Sequence, residues 1–293
     1  CRYMSTTSSS ELILNSDGSV YHLHLLPEQV ADTVITVGDP DRVAMVSKHF
    51  DRIEHRVQKR EFITHTGYIG HKRITVISTG IGPDNIDIVF NELNILRNYN
   101  FNTQSFNAVA NPLQIIRFGT SGAIQADIPV NSLLASGFGI GIDNVLHFYQ
   151  FENTKEEAAI CEQFKLHCYF NNTIHPYVFS ADTHLLAQLD NTFIKGITLT
   201  APGFYAPQGR AVGYTLTHPE FYNDLRSFRH LDWRITNIEM ETATMFGLSR
   251  VLQHQCLSLN VLLANRATGT FSADPTAAVE NLIRHGLTFI AGL

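Results

Sequence analysis

Positive charge is scarce: 21 lysines and arginines against 27 acidic residues leave a formal charge of -6. The chain therefore has no long-range attraction for a phosphate backbone, and nucleic acid is not expected as a partner. Its arginines must act locally. Cysteine is also sparse: Cys1, Cys161, Cys168 and Cys256 form no Cys-x-x-Cys pair. That usage suits a reducing compartment, with the four read as core or surface thiols. No apolar run approaches the ~20 residues that span a bilayer, and Cys1 to Ser10 lacks a signal-type apolar core. A cytoplasmic protein without a membrane partner is expected, with 1–18 a disordered leader or expression remnant. What is present is an apolar fraction of 44% over 293 residues, enough for a sizeable core.

The stretch around which the rest is organised is Leu113 to Ala123, Leu-Gln-Ile-Ile-Arg-Phe-Gly-Thr-Ser-Gly-Ala. Its apolar start predicts a buried strand, and Gly119 and Gly122 predict a turn where Thr120 and Ser121 offer hydroxyls. Arg117 cannot lose its charge. Buried in such a run, it needs a carboxylate or a bound anion.

Similar polar corners recur. The run 34–37 predicts a strand ending at Gly38-Asp39-Pro40-Asp41-Arg42, with Pro40 in the first turn of a helix to about residue 50. Strands at 62–69 and 73–78 form a hairpin entered at Arg60-Glu61. Thr79-Gly80-Ile81-Gly82 then leads into a helix over 84–98, whose Ile86, Val89, Phe90, Leu93 and Leu96 share one face. Read as a dinucleotide fingerprint, this Gly-x-Gly lacks its third glycine and its downstream acid. Residues 100–112 read as a polar surface excursion, and 20–26 as a short strand or arm with His22 and His24 on one side. Those two imidazoles have no third metal ligand at a fixed spacing.

Further strands are predicted at 131–136, 194–200, 235–238 and 256–264, and helices at 152–170, 182–190, 217–228 and 276–290. After the strand at 194–200, two prolines and two glycines make 201–210 a loop that carries Phe204, Gln208 and Arg210. Apolar faces beside an amide and a guanidinium suit a planar ring with polar edges. Glu239-Met240-Glu241 opens another helix, whose dipole keeps carboxylates ionised and able to accept hydrogen bonds from vicinal hydroxyls. The strong strand at 256–264 ends at Asn265-Arg266. Polar signals thus gather at the carboxyl ends of strands alternating with helices, which predicts one α/β domain over 19–293, a central mixed β-sheet flanked by helices, with its site at those ends.

The segments Gly38 to Arg42, Ser78 to Gly82, Arg117 to Gln125 and Glu239 to Ala243, in this order, resemble the nucleoside phosphorylase-I family, and within it the uridine-cleaving branch. The resemblance implies phosphate-dependent, reversible cleavage of a nucleoside to free base and ribose 1-phosphate, in a hexamer built as a trimer of dimers with shared sites. It places phosphate at Gly38, Arg42, Arg117 and Thr120, with Arg60 reaching in from a neighbour. Ribose falls to Glu239, Met240, Glu241 and the neighbour's His22. Ser121, Gly122, Phe204, Gln208, Arg210 and Arg266 line or adjoin the base. Arg117, Glu241 and Arg210 carry the chemistry.

It implies no metal and no organic cofactor, with inorganic phosphate as co-substrate. Some relatives hold a monovalent cation near the positions of Glu61, Ile81 and Asn85. Purine-type members carry an Asp after the strand at 256–264, where this chain has Asn265-Arg266-Ala267; that favours a pyrimidine. A purine or broad-specificity phosphorylase, a non-catalytic nucleoside-binding protein and, more distantly, a nicotinamide-dependent dehydrogenase are the alternatives.

Overall fold

The computed structural model describes residues 11–170 and 172–293. β1 (Thr33–Val37) is a β-branched run buried along its whole length. Asp39 then caps Asp41 N, and Pro40, with its φ already helical, opens α1 (Pro40–Ser47). β2 (Arg52–Lys59), β3 (Phe62–Ile69) and β4 (Lys72–Ser78) form an antiparallel meander. Half of β2's residues are charged and none is fully buried, so no apolar run announces it. α2 (Pro83–Asn98) buries the expected Ile86 to Leu96 face. The excursion at 100–112 contains a small hairpin of β5 (Tyr99–Asn100) and β6 (Ser105–Phe106).

β7 (Gln114–Ala123) corrects the expected turn at Gly119 and Gly122: both are strand residues. Beyond it come β8 (Leu133–Gly141), α3 (Lys155–His167), β9 (Tyr177–Ser180), α4 (Thr183–Ala187) and β10 (Ile194–Thr200). The chain finishes with α5 (Phe221–Ser227), β11 (Arg229–His230), β12 (Trp233–Glu239), α6 (Thr242–Leu252), β13 (Gln255–Asn265), β14 (Thr270–Phe271) and α7 (Pro275–Gly292).

The main sheet runs β11-β12-β10-β8-β13-β7-β1-β4-β3-β2 and also pairs β12 with β7. That last pairing is antiparallel, through Asn237 with Ala123 and Ile238 with Gly122. The sheet is mixed, as expected, but β7, β13, β8, β10 and β12 close into a ring. Register shifts in β10 and β13 supply the curvature that closure needs. The larger core packs α2, α6 and α7 on the sheet, and a second cluster lies beneath α3 and α5.

Residues 20–26 form turns rather than a strand, with Val20 in a lone bridge to Leu14. Of the expected leader, residues 1–10 lie outside the described residues. Within 11–18, Asn15 ties back to Val20 O at 2.8 Å.

Candidate active site

Carboxyl ends of five strands, with the loop after β10, surround a cavity of about 810 Å³. The parallel strands β1, β4, β7 and β13 deliver their ends to one side of the sheet. Closure of β12 onto β7 then carries Glu239 to Glu241 beside Arg117. A larger hollow of about 1010 Å³ adjoins across Ile81 and Met240. Among the described residues its ionisable side chains include Asp84, Asp87 and Asp143 and no cation, so an anion is repelled there.

The centre of the cavity is a charge cluster. Arg117 is only 5% exposed. Its Nη2 donates to Glu241 Oε2 at 2.7 Å and lies 3.2 Å from Glu239 Oε2, while Nη1 donates to Asn260 Oδ1 at 2.7 Å. The need for a carboxylate or an anion is thus met by two carboxylates. Glu239 also accepts from Glu241 N and Thr242 N, at the start of α6, and from Thr200 Oγ1 at 2.6 Å. Gly82 N donates to Glu241 Oε1 at 3.0 Å. Burial, aided by Glu241, pushes the Glu239 carboxyl up from its ordinary value while Arg117 opposes it. Burial alone would lower the Arg117 guanidinium, but Glu239 and Glu241 outweigh it and hold the group protonated.

Arg42 donates to Phe118 O at 3.3 Å. Burial and the nearby Arg117 charge lower its pKa. Two guanidiniums that repel one another beside Gly38 and Thr120 gain most from a shared anion.

The other end is the loop. Arg210 stacks 4.0 Å over the Phe204 ring and donates to Phe204 O and to Gln208 Oε1, both at 2.6 Å. Gln208 is buried, and Gly209 reverses the chain at φ +71°. Behind it, Arg266 donates to Gln208 O at 2.6 Å and stacks 4.1 Å over Tyr222. Ile238, Leu263, Ala264 and Phe271 give the same cavity an apolar side, so a ring with one polar and one apolar edge matches its lining.

Twelve expected residues line this one cavity: Gly38, Arg42, Arg117, Thr120, Ser121, Gly122, Phe204, Gln208, Arg210, Glu239, Met240 and Glu241. Three do not. Arg266 adjoins the cavity without lining it: its guanidinium supports the base loop from behind, on the Gln208 and Gly209 carbonyls and the Tyr222 ring. Arg60 sits exposed at the β2–β3 turn with φ +53°. His22 Nδ1 pairs with Glu92 Oε1 at 2.6 Å.

Sequence reasoning missed Asn260, which sits between Leu259 and Val261 in β13, as well as Phe271; Glu61, Ile81 and Asn85 also face the cavity. A lone Asn within Leu-Asn-Val was the available signal for Asn260. Glu61 Oε1 accepts from Asn85 Nδ2 at 3.2 Å. Among the described residues there is no cluster of three or more His, Cys, Asp or Glu placed to hold a metal, and no helix long and apolar enough to cross a membrane.

The model of the phosphorylase superfamily matches residues 32–291. A uridine phosphorylase of Thermococcus kodakarensis is 28% identical over 272 residues, 90% of this chain and 83% of that protein. A DeoD-type purine nucleoside phosphorylase of Bacillus subtilis is 25% identical over 92% of this chain and 96% of its own. Among solved structures, a Trypanosoma brucei nucleoside phosphorylase with uridine phosphorylase activity superposes with a TM-score of 0.89 at 28% identity, covering 96% of this chain and 100% of that one.

Proposed function

We propose that this chain, which belongs to the phosphorylase superfamily, is a uridine phosphorylase, converting uridine and inorganic phosphate reversibly to uracil and ribose 1-phosphate. One observation carries the reading: Arg42 and Arg117 share a cavity with Glu241, while Gln208 and Arg210 line that same cavity.

In the reaction a phosphate oxygen bonds to C1′ as the C1′–N bond breaks, and its electron pair leaves with the base. Positive charge grows on the sugar and negative charge on the ring. Arg42 and Arg117, with Gly38 and Thr120, hold the phosphate dianion against C1′. Glu241, itself fixed by Gly82 N and Arg117, accepts from the ribose hydroxyls, with Met240 against the sugar. Gln208 and Arg210 bind the uracil edge and spread its developing charge, so no general acid is required. Phosphate is the only co-substrate, and neither a metal nor an organic cofactor takes part.

The Asn265 side chain donates to Gln125 O and Ile128 O at 2.8 and 2.7 Å. This position therefore offers a turn-bracing amide rather than a carboxyl to protonate a purine, which supports uracil over a purine base. Arg60 and His22, each outside its own subunit's cavity, would serve a neighbouring subunit in a hexameric, cytoplasmic enzyme of pyrimidine salvage. Base release from uridine with and without phosphate tests the reading: phosphate-dependent release is expected. Equal rates would make the protein a hydrolase, and faster turnover of inosine a purine enzyme.

A further inference from the structure

Asn260 is fully buried in the middle of β13, between Leu259 and Val261. A side-chain amide in such a place is costly unless its polar atoms are paired. Its Oδ1 accepts from Arg117 Nη1 at 2.7 Å, and its Nδ2 donates to Ser258 Oγ at 3.3 Å. Ser258 Oγ in turn pairs with Thr242 Oγ1 at 2.7 Å, at the first residue of α6. Asn260 stands opposite Gly119 in the β7–β13 register. Gly119 has no Cβ, and the Arg117 guanidinium lies where one would be.

The guanidinium is thus held on three sides: by the bare Gly119 backbone, by Asn260 on Nη1, and by Glu239 and Glu241 on Nη2. Glu241, by a hydrogen bond, and Glu239, by an ion pair, both engage Nη2 and leave Nη1 unfixed. The Asn260 bond is directional and acts on the other nitrogen. We infer that Asn260 is a positioning residue, anchoring Arg117 against its two carboxylates so that the guanidinium stays available to the phosphate. The inference rests on the phosphorolysis reading and adds to it the residue that sets phosphate affinity.

Steady-state kinetics on Asn260→Leu, close in volume, and Asn260→Ala test it, since loss of a hydrogen bond to a charged group is worth roughly ten- to a hundredfold. The phosphate KM is expected to rise by about that factor while the uridine KM stays within about threefold. On an Arg117→Lys background the Asn260 effect should vanish, whereas a merely loosened core would add to it. Melting temperature with and without inorganic phosphate gives a readout independent of turnover: wild type is expected to be stabilised and the Asn260 variants not. Folded variants with an unchanged phosphate KM and phosphate response overturn the inference, as does an equal rise in both KM values. Phosphate-independent base release by wild type would sink phosphorolysis alone, with the phosphate-induced melting shift still deciding on Asn260.

Discussion

Arg117 at one end of the cavity is 5% exposed and spends its fork on Asn260, Glu239 and Glu241, delivered by β13, by the end of β12 and by the residue that precedes α6. At the other end, Phe204 and Tyr205 are 52% and 57% exposed, and Arg210 is placed by a short loop whose backbone rests on Arg266. The first end has its charges in position before substrate arrives, so it loses little reorganisation energy in a reaction that moves charge. The second is built from turns, which tolerate substitution more readily than strands. On the proposed reading, phosphate and ribose belong to the rigid end, and the base with its developing charge to the adaptable one.

The largest expected effect comes from removing the cation of the rigid end. Arg117→Ala leaves two buried carboxylates uncompensated, a change of about 3–5 kcal/mol. It should cut kcat/KM by about a thousandfold or more and lower the melting temperature. Activity close to wild type would remove Arg117 from the site.

A remote carboxylate sharpens the contrast between stability and catalysis. Burial raises Glu157, but Arg250 and the amides of Ser180 and Thr154 outweigh that and hold it at about 2, well below the ordinary carboxylate range. Because the folded value is depressed, its contribution is complete above the unfolded value and fades as pH falls from about 4.5 toward 2. Glu157→Gln should flatten the acid limb of a stability–pH profile while leaving both KM values alone. A changed phosphate KM would show that the rigid end is not insulated from its scaffold.

Gln208→Ala probes the loop end and should cost uridine about 2 kcal/mol in kcat/KM, and a substrate with a more activated leaving group less. Equal losses for both would detach Gln208 from the base. The smallest effect is expected from Tyr222→Ala, which removes the face on which Arg266 stacks. It should raise the uridine KM about fivefold through a loss near 1 kcal/mol and leave the phosphate KM unchanged. A matching rise in the phosphate KM would dissolve the division between the two ends.

Much of this plan is legible in the residues. The apolar periods of β1, β7, β13 and α2 place polar corners at strand ends, and twelve of the expected residues meet in one cavity. β2 escaped because half its side chains are charged and only Ile53 and Val57 are aliphatic. The turn expected at Gly119 and Gly122 is strand because Gly119 serves close approach: its missing Cβ is the space Arg117 occupies. Arg266 is identical in kind to Arg210, and no local pattern separates an arginine that lines a cavity from one that braces it.

Residue pattern alone determined the alternation of strands and helices and the presence of a buried guanidinium that had to be neutralised, because periodicity and the refusal of arginine to deprotonate are local properties. Only the tertiary structure decided what neutralises it. Glu241 and Asn260 are 124 and 143 residues from Arg117 along the chain. Closure of β12 onto β7 brings the first into reach and the parallel β7–β13 register the second; pairing across such separations depends on which strand ends become neighbours, which no stretch of sequence encodes by itself.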